Sequence, residues 1–222
     1  MSEMNQGFVL EPKAVKILDQ YGICYPGHGL ARDAKEAVQA AERLGYPVVL
    51  KVVSPDVLHK SDMGGVVVGL EGAEQVRAGV EQIRENIHAA VPSARITGVL
   101  VCQQAPPGLE IIVGTLDDST FGPTVMFGLG GIFAEILKDV SFRIAPLERC
   151  DAEEMIQETR GYPLLTGARG QAALDVEALV ALLLGVSRLV MDRGDITELD
   201  LNPVRLYEQG LLVLDARILL KN

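Results

Sequence analysis

The segment S-P-D-V-L-H-K-S-D-M-G-G-V at 54–66 sets an imidazole, His59, beside a cation, Lys60, and a hydroxyl, Ser61, and closes on the paired glycines Gly64 and Gly65. One imidazole nitrogen is unprotonated near neutral pH, so His59 has the chemistry to attack phosphorus and carry a phosphoryl group. Glycines, lacking Cβ, let backbone N–H groups approach an anion closely. The competing reading is a surface turn that happens to hold a histidine. His28 and His88 are assigned to that plainer reading.

Lys51 lies inside the apolar run V-V-L-K-V-V-S at 48–54. A lysine there loses hydration unless a negative group meets it, so the position suits a phosphate ligand held on a rigid strand. The alternative is a lysine on the outward side of a half-exposed strand. Near the other end, Asp200, Asn202 and Asp215 supply oxygen donors on two apolar stretches. Hard Mg²⁺ takes carboxylate and amide oxygens and fills its other positions with water and nucleotide phosphates. Two strands returning beside one another would bring Asn202 and Asp215 together. Otherwise the pair is a turn-type Asn-Pro and a buried aspartate in a hairpin. Gly128, Gly130 and Gly131 invite comparison with GxGxxG, but Phe133 occupies the third glycine's place, which argues against a dinucleotide-binding crossover. Glu135, Lys138, Asp139 and Arg143 follow, either as accessory catalytic groups or as a charged strand and loop.

These groups need elements to hold them. Residues 12–21 have a helical pattern with proline in the first turn and Gly22 at the end. Residues 23–25 form a short extended piece, and Asp33 caps a second helix that stops at Gly45. Strands are expected at 47–54, 66–70 and 98–104, with an amphipathic helix at 73–90. Pro106-Pro107 breaks the chain and is the candidate hinge. Beyond it come strands at 110–116 and 124–127, a piece near 132–136, helices at 151–159 and 176–192, a turn region at 197–202 and a last strand at 211–216. Alternating strands and helices make the class α/β or α+β.

A net charge of −10 speaks against a general nucleic-acid surface. Cys24, Cys102 and Cys150 are odd in number and far apart, which points to a reducing cytoplasm and to no disulfide framework. With so few histidines and cysteines no zinc cluster stands out. The N-terminus has no apolar signal core, and the apolar run at 179–190 is too short to span a bilayer, so no membrane role is expected.

Taken in order, Y-P-V-V-L-K at 46–51, the His59 segment, G-L-G-G-I-F-A-E at 128–135, D-V-S-F-R-I-A-P-L at 139–147, D-L-N-P-V at 200–204 and L-D-A-R at 214–217 resemble the ATP-grasp domain of the NDP-forming acyl-CoA synthetases. That family includes the β subunit of ADP-forming acetate–CoA ligase and is related to the succinyl-CoA synthetase β subunit. The resemblance implies an ATP-grasp fold whose two lobes hold a nucleotide between them. It implies a helical segment at 1–22 packing on the larger lobe, a small lobe at 23–104 and a large, metal-binding lobe at 105–222. It further implies ATP or ADP and Mg²⁺ as cofactors. By the same resemblance Lys51 contacts phosphates, Gly64 and Gly65 belong to a loop over them, Cys102, Gln103 and Gln104 meet the adenine, and Glu110 meets the ribose. Asn202 and Asp215 match Mg²⁺ ligands, and His59 matches the histidine that passes phosphate to ADP. The family's CoA-binding domains and primary phosphohistidine are absent here, so a CoA-binding α subunit is the expected partner, in a heterotetramer or a similar assembly. The start at Met1 and the end soon after the last motif favour a separate β subunit over a fragment of a fused protein. The other functions that fit are an ATP-grasp ligase without phosphohistidine turnover and a regulatory module of the protein acetyltransferase type.

Overall fold

The computed structural model describes residues 7–131, 138–170 and 172–221, and these fall into two compact units. One comprises Pro26–Pro106, and the other joins Gly7–Tyr25 to the chain from Pro107 onward. The division between Pro106 and Pro107 falls at the diproline.

The chain opens with β1 (Phe8–Val9) and helix α1 (Glu11–Asp19), which has a proline in its first turn and buries Ala14, Val15 and Leu18 on one side. Both belong to the second unit. The first unit then begins with β2 (His28–Ala31). Helix α2 (Ala34–Leu44) starts where the Asp33 carboxylate accepts from Glu36 N at 2.8 Å, satisfying one of the donors that a helix start leaves unpaired. It ends at Gly45. Strands β3 (Val48–Val53) and β4 (Val66–Leu70), helix α3 (Ala73–Ala90) and strand β5 (Gly98–Gln103) complete a four-stranded antiparallel sheet in the order β2-β5-β3-β4. Val48, Leu50 and Val52 alternate onto the face covered by α2 and α3, where they pack with Ala37, Ile83 and Ile87. Each such large aliphatic side chain contributes about 1.5–3 kcal/mol relative to exposure. The alternation that sends Leu50 to this core sends Lys51 to the opposite face.

In the second unit, β6 (Leu109–Asp118), β7 (Gly122–Leu129) and β8 (Val140–Ile144) form an antiparallel meander. Helices α4 (Arg149–Gln157), α5 (Tyr162–Leu165) and α6 (Val176–Asp192) follow, then β9 (Ile196–Leu206), β10 (Leu211–Val213) and β11 (Ala216–Leu220). Among the described residues the sheet has seven strands in the order β1-β11-β9-β6-β7-β8, with β10 beside β9. Leu18, Met155, Ile156, Leu183 and Val186 from the helices share one core with Ile111, Val113, Phe127, Leu199 and Leu201 from the sheet. Every strand pairing described is antiparallel, so the fold is α+β rather than a parallel α/β sheet.

Three local expectations need correction. Residues 197–202 are not a turn but the middle of β9, because Leu199 and Leu201 are buried while Asp200 and Asn202 alternate away from the core. The expected strand at 211–216 divides into β10 and β11 at Leu214–Asp215. Residues 23–25 are not in a strand, and the ladder begins only at His28. The piece expected near 132–136 lies outside the described residues. Among the described residues, no helix is long and apolar enough to cross a membrane.

Candidate nucleotide and phosphoryl-transfer site

In the first unit Lys51 occupies a central strand, opposite Leu100 of β5 and Val66 of β4. It is only 7% exposed, so the outward-lysine alternative does not hold. A buried ammonium is stable where negative charge meets it, and the phosphates of a nucleotide are such a charge.

The loop from Ser54 to Gly65 presents His59 to solvent, while the neighbouring Lys60 turns inward and is 8% exposed. Both ends of the loop are pinned. Asp56 N donates to Ser54 Oγ at 3.1 Å, and the Asp56 carboxylate accepts from Arg95 N at 2.8 Å. At the far end Val52 N donates to Gly65 O at 2.8 Å and Asn86 Nδ2 donates to Gly64 O at 3.0 Å. The two glycines are required by this turn itself. Gly64 has φ +65°, and a Cβ there would lie 2.5 Å from Asn86 Nδ2; a Cβ on Gly65 would lie 2.6 Å from Val52 Cγ1. Their amides already donate to Ser61 O and Lys60 O, at 3.1 and 2.7 Å. In this conformation the pair shapes the loop that carries His59 rather than offering free donors to a phosphate.

At the end of β5, Cys102 is buried opposite His28 and Val49. Gln103 N donates to Gly27 O at 2.7 Å and Gln104 N to Pro47 O at 3.0 Å, while Gln104 Oε1 accepts from Gly69 N at 2.7 Å. The backbone donors of both glutamines are therefore spent on their own unit.

In the second unit Asn202 and Asp215 are brought together. Ala216 pairs with Leu201 across β11 and β9, and one step on Asn202 N donates to Asp215 O at 3.2 Å. Their neighbours Asp200 and Arg217 also face one another, and the Arg217 guanidinium pairs with Glu198 and lies 3.9 Å from the Asp200 carboxylate. Among the described residues no three His, Cys, Asp or Glu side chains gather to cage a metal. An amide on β9 and a carboxylate in the break between β10 and β11, with their backbones hydrogen-bonded, are donor types that fit a cation such as Mg²⁺, which takes few protein ligands and completes its shell with phosphates and water.

Glu110 on β6 pairs with Arg205 of β9 at 3.1 Å. The accessory candidates are engaged within the fold. Asp139, 8% exposed, accepts from Arg160 N and Gly161 N at 2.9 and 3.0 Å. Arg143 donates to Glu158 at 3.0 Å, and hydrogen bonding to that guanidinium holds the Glu158 carboxyl below the usual range. Glu135 lies outside the described residues. Sequence reasoning missed Glu198 and Arg217 beside the Asn202–Asp215 pair. It also missed a depression of about 420 Å³ on the open face of the sheet, lined in part by Leu116, Phe121, Met126 and Phe142 and reaching Glu198 and Asp200. The L-D-A-R motif was the available signal for Arg217; alternation along β8, read only as one option of a charged strand and loop, was the signal for Phe142.

Comparison with known proteins bears on this arrangement. The model of a family described as an ATP-grasp domain matches residues 1–220. The chain is 46% identical over 212 residues to the β subunit of ADP-forming acetate–CoA ligase I of Pyrococcus furiosus, covering 96% of this chain and 91% of that one. It is 47% identical over 214 residues to ADP-forming acetate–CoA ligase I of Archaeoglobus fulgidus, covering 96% of this chain but 31% of that protein. Among solved structures, dinucleotide-forming acetyl-coenzyme A synthetase 1 of Ca. Korarchaeum cryptofilum, in complex with coenzyme A, Ca-AMPCP and HgCl⁺, matches with a TM-score of 0.94 at 49% identity, covering 97% and 94% of the two chains. The same enzyme with coenzyme A, acetyl-coenzyme A and a phosphorylated phosphohistidine segment matches with a TM-score of 0.89. Together with the antiparallel two-unit architecture and the buried strand lysine, these matches establish that the chain belongs to the ATP-grasp domain family.

Proposed function

We propose that this chain is the nucleotide-binding component of an ADP-forming acyl-CoA synthetase, acting in the cytoplasm in acyl-CoA + phosphate + ADP ⇌ acid + CoA + ATP. The observation that carries the reading is the buried Lys51 on a central strand in a chain that also sets Asn202 beside Asp215. Similarity to β subunits that are separate chains, and to a fused protein of which this chain spans less than a third, supports a CoA-binding partner that supplies the phosphohistidine.

The phosphoryl group arrives on the partner's histidine; that P–N bond breaks as a ring nitrogen of His59 bonds the phosphorus, which frees the donor imidazole, and the solvent exposure of His59 leaves it open to a donor from outside this chain. The P–N bond of phospho-His59 then breaks as an ADP β-phosphate oxygen forms the new P–O bond, which regenerates the imidazole. Lys51 offsets charge on the phosphates through the transfer. Asn202 and Asp215 would hold Mg²⁺, which supplies further charge neutralisation on the nucleotide. Glu110 serves the ribose, and the end of β5 at Cys102–Gln104 lies along the base.

The test is incubation with γ-labelled ATP and Mg²⁺ in the presence of the CoA-binding partner. The expected label on this chain is acid-labile and base-stable, and His59→Ala abolishes it while ADP binding persists. A label that survives in His59→Ala removes this histidine from the reaction.

A further inference from the structure

Asp215 sits between two short strands, and its peptide is held from two directions. From β9, Asn202 N donates to Asp215 O at 3.2 Å, and Leu214 N donates to Pro203 O at 2.9 Å. From the segment after α1, Val213 N donates to Cys24 O at 2.9 Å. The Tyr25 hydroxyl has one proton and two acceptors, the Glu11 carboxyl and, at 3.1 Å, Leu214 O, so the proton is shared between them. Glu11 is 2% exposed although it stands in the first turn of a helix, where a carboxylate is ordinarily solvated. A buried carboxyl and a phenol are costly unless they bond well, so such a pair is a specific device rather than a surface accident. Tyr25 is also the last residue of its unit before the chain passes into the other at Pro26.

We propose that Tyr25 is a positioning residue for the metal end of the nucleotide site. Anchored by Glu11, its hydroxyl shares its proton with Leu214 O and steadies the Leu214–Asp215 peptide, and so sets the course of the backbone where Asp215 meets Asn202. The inference rests on the reading of Asn202 and Asp215 as the Mg²⁺ pair. Groups that orient a metal ligand through a hydrogen bond behave in a known way: losing one weakens metal affinity by about 10–100-fold without removing the ligand.

The experiment measures ADP binding by calorimetry at a series of Mg²⁺ concentrations and in EDTA, for wild type, Tyr25→Phe, Glu11→Gln and Asp215→Asn. Tyr25→Phe keeps the ring and removes only the hydroxyl. The expected result is an Mg²⁺ requirement raised about tenfold in Tyr25→Phe, with ADP affinity in EDTA unchanged. Glu11→Gln, which keeps a polar partner for the phenol, stays close to wild type. A Tyr25→Phe protein that melts earlier but keeps the wild-type Mg²⁺ requirement overturns the proposal and leaves the tyrosine a structural role only. An Asp215→Asn protein with an unchanged Mg²⁺ requirement instead overturns the underlying metal reading, so the two failures are told apart.

Discussion

Lys51 and His59 lie eight positions apart on one strand–loop segment and are treated in opposite ways by the fold: the lysine is buried and the histidine exposed. Burial of a charge costs stability, and a protein that keeps one uses it. Lys51→Met should therefore bind ADP and ATP much more weakly, and turn over about 100-fold or more slowly. Calorimetry, a turnover assay and a melting curve check this; a variant that melts earlier but binds and turns over like wild type would show Lys51 to be structural. For His59 the expectation is reversed in kind. Surface substitutions change stability by about 0.5 kcal/mol or less, so His59→Ala should melt like wild type while losing the phosphoryl label. Both expectations arose from residue type and neighbours alone. The glycines were legible only as glycines: that they serve Asn86 and the turn, with their amides occupied, depends on contacts from α3 that lie more than twenty positions away.

At the scale of elements, the loop bearing His59 and the start of α6 offer quantitative tests. A non-glycine residue held at φ +65° costs about 1–2 kcal/mol, and in Gly64→Ala the new methyl also presses on Asn86. That variant should lose stability by this amount or somewhat more in urea unfolding, and Asn86→Ala should recover the steric part. Asp175 caps α6 through Ala178 N and also accepts from Gly210 N at 2.7 Å, so it ties the helix start to the turn between β9 and β10. The Gly210 and Ala178 amides hold its carboxyl below the usual aspartate range. Its contribution is therefore complete above the unfolded-state value of about 3.9 and disappears as pH falls through the lower folded value. Asp175→Ala should cost about 1–2 kcal/mol at neutral pH, and the gap from wild type should narrow below about pH 4, measured by urea unfolding across that range. The capped helices α2 and α6 were foreseen from Asp33 and apolar periodicity. Strand β9 was foreseen only in part: Asn202 was expected on a strand returning beside Asp215, yet 197–202 also read as a turn region, because Asp200, Asn202 and Pro203 look like turn residues until burial of Leu199 and Leu201 assigns them to the open face.

For the whole molecule, the proposed function assigns both Lys51 and Asp215 to the binding of Mg·ADP. Groups acting on one ligand are energetically coupled, whereas independent sites add within about 0.3–0.5 kcal/mol. The double variant Lys51→Met, Asp215→Asn should therefore depart from additivity in Mg·ADP affinity by more than that margin, and strict additivity would separate the two residues functionally. The order of motifs along the chain already carried the resemblance that implied the fold family, and residue type and spacing already made Lys51, His59 and the Asn202–Asp215 pair candidates, because each is a local pattern. Tertiary structure decided what no local pattern holds: that Lys51 is buried rather than outward, that Asn202 N meets Asp215 O just beyond the β9–β11 ladder, that Glu110 faces Arg205, and that Tyr25 reaches Leu214 from 189 positions away. Burial and cross-strand register arise from contacts between residues distant in the chain, so they exist only once the elements have packed.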